Sequence, residues 1–287
     1  MNITGKTKVC GIIGDPVTHS MSPVMQNAAF QAANLDYAYV AFPVSGDDIL
    51  RCAGAVRTLG IRGLNVTVPH KVAIMSTLDE IDSLAGHVGA VNTIVNDGGK
   101  LTGYNTDGPG FMRALAGAGL NVAGKAVVLL GAGGAARAVA YSLAEDGARL
   151  TILNRSVTRA EALAREISAT RNDHVGYAPL ERACLAEKLA AAEILVNTTS
   201  VGMSPDVDAT PCPQDLLREN LAVCDIVYHP LQTRLLREAD AAGATTIGGA
   251  EMLIYQGAQA FELWTGVSAP VEVMRRAVME RLAGAAR

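Results

Sequence analysis

Large rings are scarce in this chain: its 287 residues include one Trp, seven Tyr and four Phe. Tight packing must therefore rest on small side chains. Runs of positive charge are absent as well. No block of five Lys or Arg occurs and the net charge is −4, which argues against nucleic acid as a main partner. An anionic ligand would have to be held by local groups, because the overall field does not attract it. The five Cys are scattered, with no Cys-x-x-Cys and no His/Cys pair at metal-ligand spacing; this reads as reduced thiols in a cytoplasmic protein with no metal. A signal segment is not expected, since the apolar stretch Val9–Gly14 ends at Asp15 and is too short for one. The window Ala126–Ala144 is broken by Arg137 and three Gly, so no membrane span is expected.

What the chain has in abundance is 47 Ala and 29 Gly. Ala suits helix faces and Gly suits places where backbones approach closely. Short β-like runs alternate with Ala-rich helical stretches from Val9 to Ala283, a pattern that predicts an α/β fold with parallel sheets. In the first part a helix is expected over Pro23–Ala33, with Ser22 as N-cap, and another over Asp79–Ala85. A hairpin is expected at Asp97-Gly98-Gly99. A fresh strand–helix series begins after Asp107–Gly110, where a domain boundary is placed. The last two helices fit either domain by pattern.

Val127-Val128-Leu129-Leu130 runs into Gly131-Ala132-Gly133-Gly134-Ala135-Ala136-Arg137. A G-x-G-x-x-A turn between strand and helix suits a dinucleotide: the first Gly makes the turn, the second admits the pyrophosphate, and the small third residue packs helix on strand. The next strand ends Asn154-Arg155-Ser156, with Arg159 beyond it. NAD enzymes place a carboxylate here for the ribose 2′-hydroxyl. A guanidinium suits a 2′-phosphate instead, so the residues favour NADP over NAD. Arg159 reads either as a second phosphate contact or as a helix-surface charge.

Polar residues cluster at other strand ends. Ser20 and Ser22 stand before a helix, where they could hold a small carboxylate. Thr67 and Lys71 lie in Gly63–Lys71, Asn92 in Gly89–Thr93, and Asp107 in Gly103–Gly108. A Lys and an Asp beside a nicotinamide suit ketone reduction: the ammonium polarises the carbonyl and supplies a proton, and the carboxylate orients it. Asp107 reads equally as a helix cap. His19, His70, His87, His174 and His229 fit no metal spacing and no nucleophile motif, so they are read as structural or surface residues.

Taken in order, these motifs resemble the shikimate dehydrogenase family. They are His19–Pro23, Gly63–Lys71, Gly89–Thr93, Asn105–Gly108, Gly131–Arg137, Asn154–Arg159, Asn197–Met203, Asp225–Pro230 and Gly249–Gln256. The resemblance implies reversible NADPH-dependent reduction of 3-dehydroshikimate to shikimate, on the route to aromatic compounds. It implies two α/β domains. A substrate domain comprises 1–107 plus 250–287, and a Rossmann-like NADP-binding domain with a parallel sheet, 108–249, is inserted in it. It gives the substrate carboxylate to Ser20 and Ser22, with Tyr228 nearby. The ring hydroxyls and reacting oxygen go to Thr67, Lys71, Asn92, Asp107 and Gln256, with Lys71 and Asp107 as the catalytic pair. For the cofactor it implies Gly131, Ala132, Gly133, Gly134, Ala135, Asn154, Arg155, Ser156, Arg159, Thr198, Ile226, Gly249 and Met252, with Met203 beside the nicotinamide. The partner is then a small molecule, and the assembly a monomer or homodimer. Two alternatives stay open: a quinate/shikimate dehydrogenase using NAD, against which Arg155 and Ser22 argue, and a non-catalytic ligand sensor, against which the presence of Lys71 and Asp107 argues.

Overall fold

The computed structural model describes residues 3–171 and 174–285. Two compact units are present, Met1–Thr106 with Ile254–Arg287, and Asp107–Leu253. The first unit begins with β1 (Lys8–Gly14), α1 (Ser22–Ala32), β2 (Tyr37–Pro43), α2 (Ile49–Thr58) and β3 (Gly63–Val66). It continues with β4 (Glu80–Ile81), α3 (Ser83–Val88), β5 (Thr93–Asp97) and β6 (Lys100–Tyr104). The second holds α4 (Asp107–Gly117), β7 (Ala126–Leu130), α5 (Gly134–Glu145), β8 (Arg149–Asn154), α6 (Val157–Arg171) and β9 (Gly176–Pro179). Then come α7 (Arg182–Ala190), β10 (Ile194–Asn197), β11 (Ala222–Asp225), α8 (Arg234–Ala241) and β12 (Thr245–Ile247). Helix α9 (Gly249–Thr265) starts in the second unit and runs into the first, which α10 (Val271–Ala285) closes.

The first sheet has the order β2-β1-β3-β5-β6-β4 and is mixed, where the strand–helix alternation predicts a parallel one. Strand β1 runs parallel to β2 and β3, but β5 is antiparallel to both β3 and β6. The hairpin is responsible. Asp97 pairs with Lys100, leaving Gly98 and Gly99 as a two-residue turn with φ of +63° and +100°, a conformation in which a side chain would be strained. The helix expected over Asp79–Ala85 is also replaced. Glu80–Ile81 pairs with β6, and α3 starts only after Asp82, whose carboxylate accepts from the Leu84 N–H at 3.1 Å. A capping side chain marks where a helix begins.

Strand periodicity divides this unit's core. Leu64, Val66 and Ile94 face α2 through Ile49, Ala53 and Val56. The alternate position Gly63 faces Trp264 on α9: a Cβ there would sit 2.1 Å from the indole Nε1, which donates to the Ile94 carbonyl at 3.0 Å. Around that contact Tyr39 leans on Trp264, and Phe30 of α1 stacks on Phe261 of α9, with ring centroids 5.9 and 5.3 Å apart.

The second sheet, β12-β11-β10-β7-β8-β9, is parallel throughout. Its strand order reverses direction between β7 and β10, the switch point at which open α/β sheets bind ligands. Both faces are covered, so Val127–Leu130 reads as an unbroken apolar run. Val128, Leu130, Leu195 and Val223 pack toward Leu185 and Leu189 of α7 and Leu235 and Leu236 of α8. Helix α5 is buried through Ala136, Ala138 and Ala140. Small residues let α4 cross it closely: a Cβ on Gly108 would lie 2.6 Å from the Ala138 carbonyl oxygen. No helix among the described residues is long and apolar enough to cross a membrane.

The contact at Gly63 yields a direct prediction. Gly63→Ala should destabilise the protein by about 1–3 kcal/mol, the usual cost of overpacking a filled site. Urea denaturation followed by the fluorescence of Trp264, the chain's single Trp, measures it; an unchanged midpoint would contradict the packing.

Candidate active site

In the first unit the polar residues gather behind the carboxyl ends of β1 and β3. Ser22 is the first residue of α1 rather than its cap. Met21 holds the N-cap position without a capping side chain, and the Ser20 hydroxyl oxygen accepts the Ser22 N–H at 3.2 Å. The two serines therefore sit as a pair at a helix N-terminus, a place that favours a carboxylate. Ser22 is buried near the Tyr39 phenol. Burial, with the neighbouring Cys10 adding to it, lifts that phenol well above its ordinary pKa, so Tyr39 stays a neutral donor. It donates to Asn65 Oδ1 at 2.6 Å, and Asn65 Nδ2 donates to Thr93 Oγ1 at 3.0 Å.

Asn92 is bound into the same network. Its Oδ1 accepts from the Thr106 N–H at 2.8 Å, and its Nδ2 donates to Thr106 Oγ1 at 3.0 Å. Thr93 and Thr106 are fully buried. Lys71 follows a locked turn. The His70 N–H donates to the Thr67 carbonyl at 2.9 Å, His70 Nε2 lies 2.7 Å from the Val44 carbonyl oxygen, and the Lys71 carbonyl accepts from the Val91 N–H at 2.8 Å. His70, 1% exposed, thus braces the backbone that carries Thr67 and Lys71. Gln256 is buried on α9. The next residue's carbonyl, that of Gly257, accepts from Gln26 Nε2 at 2.8 Å, which ties this stretch of α9 to the helix bearing Ser22.

In the second unit β7 delivers the glycine turn. Gly131 has φ of +111°, and a Cβ there would lie 2.8 Å from Thr198 Oγ1, so only Gly fits. Thr198 Oγ1 donates to the Leu130 carbonyl at 2.6 Å, holding the turn to the end of β10. Gly133 takes the N-cap position of α5 in extended backbone. A Cβ on Gly133 or Gly134 would meet nothing within 4 Å, leaving the helix N-terminus open where Ala132 to Ala135 could cradle a pyrophosphate. Ala136, the third position of the motif, is fully buried. These residues fit a dinucleotide.

At the end of β8, Asn154 Nδ2 donates to the Ser156 carbonyl at 3.0 Å, and the Ser156 and Thr158 hydroxyls lie 2.9 Å apart. Arg155 and Arg159 are exposed beside them, on either side of the start of α6, so two cations are available to a 2′-phosphate. No carboxylate ends this strand. Asp107 is the first residue of α4, inside the helix rather than ahead of it, and is buried. Tyr228 is half-buried, and burial raises its phenol. Met203 is exposed and Met252 buried. Gly249 abuts the loop after β11: a Cβ on it would lie 2.2 Å from the Ile226 carbonyl oxygen. The described residues contain no group of three His, Cys, Asp or Glu able to hold a metal.

Sequence reasoning passed over Tyr39 and Gln26, whereas His70, read there as a structural or surface residue, is structural. Tyr39 and Gln26 read as ordinary members of an apolar strand and an apolar helix face. Only their pairing across the fold turns them into braces for the serines and for Asn65.

Residues 12–94 match the family model described as shikimate dehydrogenase substrate binding domain. Residues 114–205 match shikimate / quinate 5-dehydrogenase, and residues 249–279 match the shikimate 5′-dehydrogenase C-terminal domain. The chain is 48% identical to a shikimate dehydrogenase (NADP(+)) of Desulforamulus reducens, over 98% of each chain. It is also 48% identical to a protein of that name from Methanocaldococcus jannaschii, over 98% of this chain and 99% of the other. Among solved structures, a shikimate 5-dehydrogenase from Thermus thermophilus in complex with NADP(H) and shikimate superposes with a TM-score of 0.87. It is 39% identical, and the match covers 96% of this chain and 99% of that one.

The open space at Gly133 is testable by itself. Gly133→Asp should leave folding stability unchanged or slightly raised, because Asp is a better N-cap than Gly. The same carboxylate should weaken NADPH binding at least about 100-fold, because it faces the pyrophosphate. Calorimetric titration and a thermal melt read both. Retained binding would remove the pyrophosphate from this turn.

Proposed function

The chain belongs to the shikimate dehydrogenase family, and from that premise we infer that it catalyses the reversible NADPH-dependent reduction of 3-dehydroshikimate to shikimate. It is an oxidoreductase acting on a CH–OH group, within the route to chorismate and the aromatic amino acids. One observation in the structure supports the cofactor side of this reading above others: a glycine turn open to a pyrophosphate adjoins a strand end that carries Arg155 and no acid.

The substrate domain is assigned to 1–107 plus 250–287 and the NADP-binding domain to 108–249. In the first, Ser20 and Ser22 bind the substrate carboxylate with the help of the α1 N-terminus, and Tyr228 is assigned to the same carboxylate. Thr67, Asn92 and Gln256 accept from and donate to the ring hydroxyls. Being held by neutral hydrogen bonds, Asn92 can recognise a hydroxyl without adding charge. Bound NADPH supplies the hydride. Lys71 stabilises the negative charge that grows on the carbonyl oxygen and hands it a proton from Nζ. Asp107 accepts from the neighbouring ring hydroxyl. In the reverse direction the same Nζ takes the proton from the hydroxyl. Gly131 to Ala135 bind the pyrophosphate, and Asn154, Arg155, Ser156 and Arg159 bind the 2′-phosphate. Thr198, Ile226, Gly249 and Met252 hold the nicotinamide half. The enzyme works in the cytoplasm as a monomer or homodimer on small molecules, with no nucleic acid or membrane partner.

Two variants test these roles. Lys71→Ala should lower kcat by about 10²–10⁴-fold, the range for loss of a proton-transfer group. A rise in KM with kcat intact would make Lys71 a binding residue only. Arg155→Ala should weaken NADPH and leave NADH nearly unaffected, as steady-state kinetics with both cofactors would reveal. Equal losses would remove the guanidinium from the 2′-phosphate.

A further inference from the structure

At the ends of β10 and β11 lies a polar cluster to which the reaction above gives no role. Asn197 and Asp225 are the last residues of these strands and pair with each other in register. Asn197 Nδ2 donates to Asp225 Oδ1 at 2.9 Å. Asp225 Oδ1 also accepts from the Val227 N–H at 3.0 Å, and its Oδ2 accepts from Thr233 Oγ1 at 2.7 Å. On the other side, Asn197 Oδ1 accepts from both the N–H and the hydroxyl of Thr199, at 3.0 and 2.7 Å. Asn197 and Thr233 are fully buried, and Asp225 is 2% exposed.

This is a costly arrangement. A buried carboxylate is tolerated where donors satisfy it, and here the three donors that reach Asp225 are neutral. Burial raises its pKa, and Thr233, Val227 and Asn197 oppose that rise. An apolar pair would fill the space at less cost to stability. What a satisfied polar cluster supplies is a single geometry for the loops it joins. Three segments are joined here. Val227 belongs to the loop of Ile226 and Tyr228, Thr199 to the loop of Thr198, and Thr233 caps α8 by accepting from the Leu236 N–H at 3.3 Å. Thr198 in turn reaches the glycine turn through the Leu130 carbonyl, and the start of α9 presses against Ile226.

The sheet order says which part of the ligand these loops meet. With the 2′-phosphate at the end of β8 and the pyrophosphate at β7, the dinucleotide runs on across the switch point, toward β10 and β11. We propose that Asp225, clamped by Asn197 and Thr233, is the positioning residue for the nicotinamide half of the cofactor. It touches neither ligand nor substrate and acts by fixing the loops that do. The proposal rests on the cofactor reading above.

Calorimetric titration of the full chain with NADPH and with adenosine 2′,5′-bisphosphate, which lacks the nicotinamide half, tests it. Asp225→Asn, and the milder Thr233→Val should Asp225→Asn fail to fold, should weaken NADPH about 10-fold, the equivalent of one hydrogen bond to a charged group. Both should leave the bisphosphate within about twofold, and Thr233→Ser should restore NADPH binding. Equal weakening of both ligands would mean a merely structural cluster and overturn the proposal, as would unchanged NADPH binding. A wild-type chain that bound neither ligand would overturn the cofactor reading and this proposal with it. A wild-type chain that bound NADPH but did not turn over 3-dehydroshikimate would count against the catalytic reading alone.

Discussion

At several places in this protein a backbone lies so close to its neighbour that one added methyl group would collide with it. Gly63 lies under the Trp264 indole, Gly108 under the Ala138 carbonyl, Gly131 under the Thr198 hydroxyl and Gly249 under the Ile226 carbonyl. Each contact joins elements far apart in sequence, and three of the four lie at or beside a proposed ligand-binding segment. The abundance of Ala and Gly is the compositional trace of this constraint. A pyrophosphate bound by backbone N–H groups needs a turn without side chains, and a helix that must present its N-terminus there needs a small face against the sheet. Ala136, Ala138 and Ala140, all fully buried, provide that face. The few rings are spent elsewhere: Phe30, Tyr37, Tyr39, Phe261 and Trp264 form the layer that fastens the closing helices onto the first unit.

The two units solve one problem in the same way. Each must hold polar side chains in fixed orientation at the ends of its strands, where no regular ladder supports them. In the first, Tyr39, Asn65, Thr93, Asn92 and Thr106 hydrogen-bond one another. In the second, Asn197, Thr199, Asp225 and Thr233 do so. Both clusters are buried and built of neutral donors, so salt affects their geometry little. The cations proposed for the 2′-phosphate, Arg155 and Arg159, lie exposed after β8 instead. In an acidic chain the proposed attraction for phosphate is therefore local, supplied by two guanidinium groups and the N-terminus of α5.

Much of this was legible in the sequence, for identifiable reasons. The glycine turn and the strand end at Asn154 are local motifs, and their residues follow one another without interruption. The second unit's strands were legible because they are buried on both faces and form short apolar runs. Legibility failed where neighbours in space are distant in sequence. The run Asp79–Ala85 looks helical, but Asp79 accepts from Leu101 and Glu80–Ile81 pairs with β6, partners that local propensity does not see. Ser22 looks like a cap, but Met21 holds that position and Ser22 is already inside the helix.

The sequence by itself determined the class of fold and the family, and it named the residues proposed for substrate and cofactor, because these depend on residue type at close spacing. The tertiary structure alone decided the direction of the strands in the first sheet, the braces behind the binding residues and the clamp at Asp225. A hydrogen bond such as Asp225 to Thr233, or a close approach such as Gly63 to Trp264, exists only once the chain has folded its distant segments together.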